Sequence, residues 1–150
     1  MKVVDANVLL YAVNADAEHH EPSRGWLDQA LSGRDTVGFA WLAVTAFIRI
    51  STKVGLFPAP LRPQQAVDQT RTWLQAPGAR ILEPTNAHLT VLQKLLEAVG
   101  SGGNLVSDAH LAAVAIEHRA DIVSYDADFV RFPGLRSHRP ETLLRRHPDI

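Results

Sequence analysis

Four aspartates in this chain stand where a parallel sheet would gather the ends of its strands. Asp5 directly follows the β-branched residues Val3 and Val4, and Asp126 and Asp128 follow a second short apolar segment. Carboxylates that gather without a basic partner repel one another, and a bound divalent cation such as Mg²⁺ or Mn²⁺ relieves the repulsion. A metal in such a site lowers the pKa of a bound water and stabilises charge on phosphate oxygens. The pattern therefore predicts metal-assisted phosphodiester cleavage.

The fourth aspartate, Asp108, follows Ser107 at the start of a predicted helix after a glycine-rich loop. Taken alone it has an equally good structural explanation, because a carboxylate in the first turn stabilises a helix N-terminus. Asp126 and Asp128 are likewise typical turn formers after a strand. Asp5 is harder to explain in this way, because it lies between an apolar strand and a helix. It is the combination of the four that indicates a site.

The elements that must position these acids alternate along the chain. The predicted strands span residues 2–5, 37–39, 80–82, 122–124 and 135–137, and the predicted helices span 8–13, 21–31, 41–54, 64–74, 86–99 and 107–119. Strands separated by helices of ten or more residues indicate βαβ units and a sheet covered on both faces. The fold class is thus α/β, with helices on either side of a mostly parallel sheet of four to five strands. Ligand sites in such sheets form outside the carboxyl ends of the strands.

Composition limits the remaining possibilities. The chain has 150 residues, of which 46% are hydrophobic and 21% charged, which predicts one globular domain over 1–150. The formal charge of -1 gives no global attraction to phosphate, so any contact with nucleic acid must come from a local site. Cysteine is absent, which leaves oxygen and imidazole as metal ligands. No apolar run reaches the roughly 20 residues of a membrane helix. We therefore expect a cytoplasmic protein.

Three separated segments resemble the motifs of the PIN domain ribonucleases, and within them the VapC-type toxins of toxin–antitoxin pairs. Residues 4–11 are similar to the D-x-N segment at the end of the family's first strand. Residues 103–113 are similar to its third acidic block, and residues 123–129 to its last. The sequence of residues 129–135 is of a form associated with a subset of these toxins. The resemblance covers nearly the whole chain, with the motifs in the family's order.

The resemblance implies an Mg²⁺-dependent endoribonuclease with a three-layer α/β/α PIN-like fold. Carried over by position, Asp5 and Asp108 would bind Mg²⁺, with Mn²⁺ as a substitute, and Asp126 and Asp128 would complete the catalytic acids. The polar residues that would support these carboxylates by hydrogen bonds are Asn7 and Ser124. The partners implied are an RNA substrate, a small antitoxin protein and a second copy of the chain.

One position departs from the family pattern. Most members carry a glutamate in the helix after the second strand, and the alignment of residues 40–47 with that block places Ala46 there. Asp128 is a possible substitute for the missing acid. A second hypothesis is therefore a catalytically weakened PIN protein that mainly binds RNA or an antitoxin. A third, a hydrolase with Asp5 as nucleophile, lacks the D-x-D pair at the first strand that such chemistry would use.

Several cations could line a groove for an RNA backbone, because Arg and Lys make most phosphate contacts. They are Arg49, Lys53, Arg62, Arg131 and Arg136. Arg49 is the preferred substrate-binding residue, because it lies within one helical turn of Ala46. For a hydrophobic groove that could receive an antitoxin helix, the residues suggested are Trp41, Phe47 and the loop 56–58.

Overall fold

The structure is a computed structural model, and it describes residues 1–146. Its strands are β1 (Lys2–Val4), β2 (Val37–Phe39), β3 (Ala79–Ile81), β4 (Asp121–Val123) and β5 (Ser137–His138). Its α-helices are α1 (Ala6–Val13), α2 (His20–Gln29), α3 (Trp41–Ser51), α4 (Pro63–Leu74), α5 (His88–Val99), α6 (Leu105–Glu117) and α7 (Pro140–Arg146). A π-type turn over Ala30–Arg34 extends α2, and a 3₁₀ helix spans Ala127–Arg131.

The five strands form one parallel sheet in the order β3-β2-β1-β4-β5. The chain moves outward from β1 through β2 to β3, and then returns to place β4 on the other side of β1. The boundary between β1 and β4 is therefore the point where the strand order reverses, and a ligand crevice opens at such a point in doubly wound folds. In the register of this pair Val4 lies beside Val123, so Asp5 and Ser124 leave the sheet side by side.

Apolar side chains alternate between the two faces of the sheet, as successive residues of a strand must. Val4 and Val123 pack into a core with α1, α2 and α4. Val3 and Ile122 face the other way, into a second core that contains the alanine-rich α6. Helices thus cover both faces, and the predicted three-layer architecture is confirmed.

Several ends of the sequence-based assignment were placed differently by the structure. Strand β3 covers Ala79–Ile81 and not 80–82, α3 ends at Ser51 and not at 54, and α5 begins at His88 and not at 86. The helix that carries Asp108 begins at Leu105 and not at Ser107, because the amide of Leu105 already closes a turn on the carbonyl of Gly102 at 3.2 Å. The last strand covers Ser137–His138 and not 135–137, because the amides of Ile122 and Ser124 bond to the carbonyls of Arg136 and His138. Helix α7 was not predicted, although Pro140 at its first position is a typical start signal.

Among the described residues, no helix combines the length and the apolar character needed to cross a membrane.

Gly78 permits a close approach of two backbone segments that sets where β3 begins. Its amide donates to the carbonyl of Leu31 at 2.9 Å, and a Cβ at this position would lie 2.5 Å from the carbonyl oxygen of Ala30 and 2.8 Å from that of Asp35. Backbone atoms on a packed turn cannot move aside as a flexible side chain can. Glycine is therefore required here by space.

We expect Gly78→Ala to lower the free energy of unfolding by about 1–3 kcal/mol, because the added methyl group overpacks a backbone contact. Chemical denaturation of the purified protein measures the change. Gly25→Ala is the matched control, since a Cβ there meets only Leu144 at 3.7 Å within a helix. Alanine should stabilise α2 by about 0.5–1 kcal/mol. Equal effects of the two substitutions would contradict the close-approach argument.

Candidate active site

Asp5 and Ser124 hold the ends of β1 and β4 together at the carboxyl edge of the sheet. The amide of Asp5 donates to the carbonyl of Val123 at 3.0 Å. The Ser124 hydroxyl donates to Oδ2 of Asp5 at 2.6 Å. The other carboxylate oxygen of Asp5 accepts from the amide of Ala6 at 2.7 Å, and so caps α1. Asp5 is therefore fixed in orientation through both of its oxygens.

The Ser124 hydroxyl uses its full hydrogen-bonding capacity, which is one donated and two accepted bonds. Besides donating to Asp5, it accepts from the amide of Asp126 at 2.9 Å and from Nδ2 of Asn7 at 3.3 Å. Oδ1 of Asn7 in turn accepts from the amide of Tyr125 at 3.3 Å. Asn7 and Ser124 thus orient the segment that carries the next acids, and the side chain of Ser124 is almost completely buried.

Asp108, Asp126 and Asp128 form a group in which one carboxylate oxygen of each lies within 4.8 Å of the others. Asp108 lies in the first turn of α6, where the positive end of the helix dipole favours a negative charge. Asp126 caps the 3₁₀ helix, since its Oδ1 accepts from the amide of Asp128 at 2.9 Å. The structure therefore brings together residues from the end of β4 and the start of α6.

All four predicted aspartates, here called the acidic cluster, act on one another electrostatically. Burial raises the pKa of Asp108, and the neighbouring carboxylates, Asp126 first among them, raise it further, to about 6. Burial also raises the pKa of Asp5, although the hydrogen bonds from Ser124 and Ala6 oppose the shift. Such an oxygen-only donor set fits a hard divalent cation, which would relieve the repulsion.

The cationic residues suggested from the sequence differ in how they stand to the acidic cluster. Arg131 is 3.7 Å from Asp128 and is an exposed neighbour of the acidic cluster. Arg49 is exposed on α3, and no hydrogen bond or ion pair among the described residues joins it to the acidic cluster. Ala46 is half-buried in the same helix, so α3 supplies an apolar methyl group where the family pattern has a carboxylate.

The suggested antitoxin groove is wrong in two residues, Phe47 and Phe57. Phe47 is fully buried, with its ring centroid 5.0 Å from that of Trp73, so it belongs to the core and cannot line a surface groove. Phe57 is also buried, whereas its neighbour Leu56 is exposed. Trp41 is 46% exposed, and its indole N–H donates to Glu83 at 2.9 Å.

An aromatic group beside the acids was missed at the level of sequence. Tyr125 lies between Ser124 and Asp126, and its ring stacks on His19 at 4.1 Å between centroids. Its hydroxyl donates to Glu141 of α7 at 2.7 Å, and burial together with Glu141 raises the pKa of Tyr125 to about 12. The available signal was its position between two residues of the acidic motif. Tyr125 thus connects the segment after β4, which carries Asp126 and Asp128, to α7.

Comparison with known proteins gives the family. Residues 2–135 match the family described as PIN domain. Ribonuclease VapC37 of Mycobacterium tuberculosis is 60% identical over 144 residues, which cover 96% of this chain and 100% of the relative. This chain belongs to the PIN domain family, among the VapC ribonucleases. Ribonuclease VapC33 of the same species is 35% identical over 136 residues, covering 91% of this chain and 95% of the relative.

Solved structures agree on the fold of this VapC-family chain. VapBC2 from Rickettsia felis, bound to a DNA fragment from its promoter, superposes with a TM-score of 0.67 at 19% identity and covers 92% of this chain and 97% of that one. VapC20 from Mycobacterium tuberculosis, a sarcin-ricin loop cleaving toxin, gives a TM-score of 0.64 at 16% identity, covering 91% and 99%. The PIN-like fold is thereby confirmed, while the assignment to the toxin–antitoxin endoribonucleases follows from the family match and the 60% identity to Ribonuclease VapC37.

The raised pKa of Asp108 predicts how the metal-free protein responds to pH. Because the folded pKa is about 6 against 3.8 for the free side chain, the folded state binds the proton more tightly, and stability falls as pH rises through this window. We expect Asp108→Asn to remove this fall. With a chelator present, the melting temperature of Asp108→Asn minus that of the parent should increase between about pH 4 and 6 and stay constant above that range.

The control for this measurement is Asp68→Asn, which removes a carboxylate from an exposed ion pair with Arg71 on α4. A gain of the same size and the same pH dependence in Asp68→Asn would show that the effect does not come from the acidic cluster. A constant difference for Asp108→Asn would show that neither burial nor the neighbouring carboxylates raise the pKa of Asp108.

Proposed function

We propose that this chain is an Mg²⁺-dependent endoribonuclease that acts as the toxin of a toxin–antitoxin module, with the acidic cluster as its catalytic centre. The observation that supports the proposal is the convergence of four aspartates on the carboxyl edge between β1 and β4, where the neighbouring carboxylates make Asp108 harder to ionise. We further propose one PIN domain over residues 1–150, with Mn²⁺ as a substitute ion and RNA as the substrate.

In this proposal Asp5 and Asp108 bind the ion, and Asp126 and Asp128 complete the acidic pocket. A bound divalent cation would neutralise the phosphate oxygens and activate water for attack on phosphorus. The chain's own residues keep the carboxylates in place for this. Ser124 and the amide of Ala6 hold the two oxygens of Asp5, and the amide of Asp128 holds Oδ1 of Asp126, so these two acids are oriented by short hydrogen bonds.

The partners proposed for this chain are those that its family implies. They are a small antitoxin protein that inhibits the toxin, a second copy of the chain in a homodimer, and an RNA substrate met in the cytoplasm. Arg49 remains our proposal for a contact to the RNA backbone, because it is an exposed guanidinium on the helix that follows β2.

Ribonuclease activity is tested by inducing the parent and its variants in a bacterial host, with growth followed and new RNA ends sequenced. We expect the parent to arrest growth and to produce discrete RNA ends. Asp5→Asn and Asp108→Asn should each reduce cleavage by about a hundredfold or more, because each removes a charge that holds the cation. Asp68→Asn, on the exposed face of α4, should act like the parent.

Variants of Asp5 and Asp108 that cleave RNA as fast as the parent would refute the proposed mechanism. If the parent neither arrests growth nor cuts RNA, the hypothesis of a binding module is favoured, because Ala46 then marks the loss of an acid that activity needs.

Metal binding is tested separately by thermal unfolding at neutral pH with increasing Mg²⁺ or Mn²⁺. A ligand that binds only the folded state raises stability by RT ln(1 + [L]/Kd), so we expect the melting temperature of the parent to rise with metal. The rise should be strongly reduced in Asp108→Asn. Comparison of Asp5→Asn with Asp128→Asn decides the ligand set, since only Asp128 belongs to the compact group with Asp108 and Asp126. An undiminished rise in Asp5→Asn would remove Asp5 from the ligands.

A further inference from the structure

A cleft of about 670 Å³ opens beside the acidic cluster, between the segment that follows β4 and the edge strand β5. Ser124 and Asp126 line its inner end, and Arg136, Ser137 and His138 line its side. The volume lies within the roughly 300–1,000 Å³ of pockets that take small organic ligands. The cleft therefore continues directly from the proposed catalytic centre and is large enough for a nucleotide.

This cleft, here called the β5 cleft, is lined by more cationic than carboxylate side chains, unlike the acidic cluster. Arg136 and Arg139 both line it, whereas Asp126 is the one carboxylate among its described lining residues. The side chain of Arg136 is 83% exposed, with its Nε 3.4 Å from Asp121. A guanidinium carries five N–H donors, so a contact at Nε leaves further donors for an anion. The wall is thus suited to a phosphate.

The register of the last two strands places the arginines along a line that leads away from the acids. Val123 lies beside His138, so Arg139 is level with Ser124 at the catalytic edge. Arg136 lies three residues before Arg139, just ahead of β5, which is roughly 10 Å away at about 3.3 Å per residue. A strand of nucleic acid that enters at the acidic cluster and follows β5 would therefore reach Arg136 after leaving the scissile phosphate.

The β5 cleft also offers polar groups along this path. The carbonyls of Arg136 and His138 bond inward to β4, so the backbone amide and carbonyl of Ser137 turn toward the open edge of the sheet. The imidazole of His138 is held by Asp121 at 2.8 Å. These groups can bond to the edges of a base or to a ribose hydroxyl. An added peptide strand is a poorer fit, since β5 has two residues of edge to offer.

We propose that the β5 cleft binds a nucleotide of single-stranded RNA next to the scissile phosphodiester, with Arg136 in contact with a flanking phosphate. The inference rests on the proposed ribonuclease function, which it extends by assigning a substrate subsite. Arg139 has a different role, because its Nε is 3.0 Å from Glu141 and its guanidinium carbon lies 4.7 Å from the ring centroid of Tyr125. It is a positioning residue for Tyr125.

Binding of a fluorescent, short random-sequence RNA pool to the full chain tests the subsite. Every protein in this binding assay also carries Asp5→Asn, which blocks cleavage, and the buffer contains Mg²⁺. We expect Arg136→Ala to raise the Kd about threefold to tenfold and to reduce the slope of log K against log salt by about one phosphate contact. Arg136→Lys should restore the slope but not the full affinity, because lysine lacks the planar fork of donors.

The matched control is Arg71→Ala, which also removes an exposed arginine that contacts an aspartate, but on α4. We expect it to leave both the Kd and the salt slope unchanged. Folding is checked by the melting temperature, which Arg136→Ala should preserve because Asp121 keeps its bond to His138. As a second readout, the NMR amide signals of residues 135–139 should shift when the RNA pool is added.

Equal affinities and slopes for the Arg136 and Arg71 variants, with unmoved signals of 135–139, would overturn the subsite. The assignment to RNA would be overturned by a DNA pool of the same length that binds as tightly as the RNA pool and whose Kd rises by the same factor in Arg136→Ala. The two proposals fail separately. If the parent with Mg²⁺ cuts no RNA while Arg136→Ala still weakens binding, the ribonuclease function is wrong and the subsite stands. If the parent cuts RNA and Arg136→Ala leaves the KM unchanged, the subsite is wrong and the function stands.

Discussion

Like-charge repulsion acts on the edge of the sheet where β1 and β4 end, because four aspartates meet there. The fold opposes it with hydrogen-bond donors placed around the carboxylates. Ser124 and the amide of Ala6 each bond to one oxygen of Asp5, and the amide of Asp128 bonds to Asp126. These bonds favour the charged form but do not cancel the effect of burial, which still raises the pKa of Asp5. The site is thus held in a state that a cation would stabilise.

The two helical layers fix the positions of Asp108 and Asp5 at the edge of the sheet. Helix α6 brings Asp108 to the edge because its buried alanines allow it to lie closely against the sheet, with Ala109, Ala112 and Ala113 in one core. On the other face α1 begins at Asp5 itself, which is both a site residue and a helix cap. Asp108 and Asp5 are therefore each anchored by a helix that packs on the sheet through apolar side chains.

The order of the elements and the identity of the acids could be predicted from sequence, because they depend on local signals. Short β-branched runs such as Val3-Val4 mark buried strands, and Asp5, Asp126 and Asp128 directly follow two of them. The exact partners of each side chain could not be predicted. The bond between Tyr125 and Glu141 depends on the packing of α7 against α2. The position of Arg136 relative to the acids depends on the register of β5 with β4.

The same reasoning explains why Phe47 was misplaced. Its position in an apolar helical stripe is compatible with a groove or with the core, and only the presence of Trp73 from α4 decides between them. Local periodicity reports that one face of a helix is covered, but it does not report what covers it. Taken singly, Asp108, Asp126 and Asp128 are equally ambiguous, and only the combination of the four aspartates limits the possible explanations.

The bond between Ser124 and Asp5 spans 119 residues of chain, and it has a consequence for synthesis on the ribosome. Helix α1 can form early, yet Asp5 meets its partners only after β4 and the segment behind it have emerged. At about 5–20 residues per second, Asp5 waits on the order of ten seconds. A nascent chain therefore carries no assembled acidic cluster until the residues up to Asp128 have emerged, and a fragment released before that point has none.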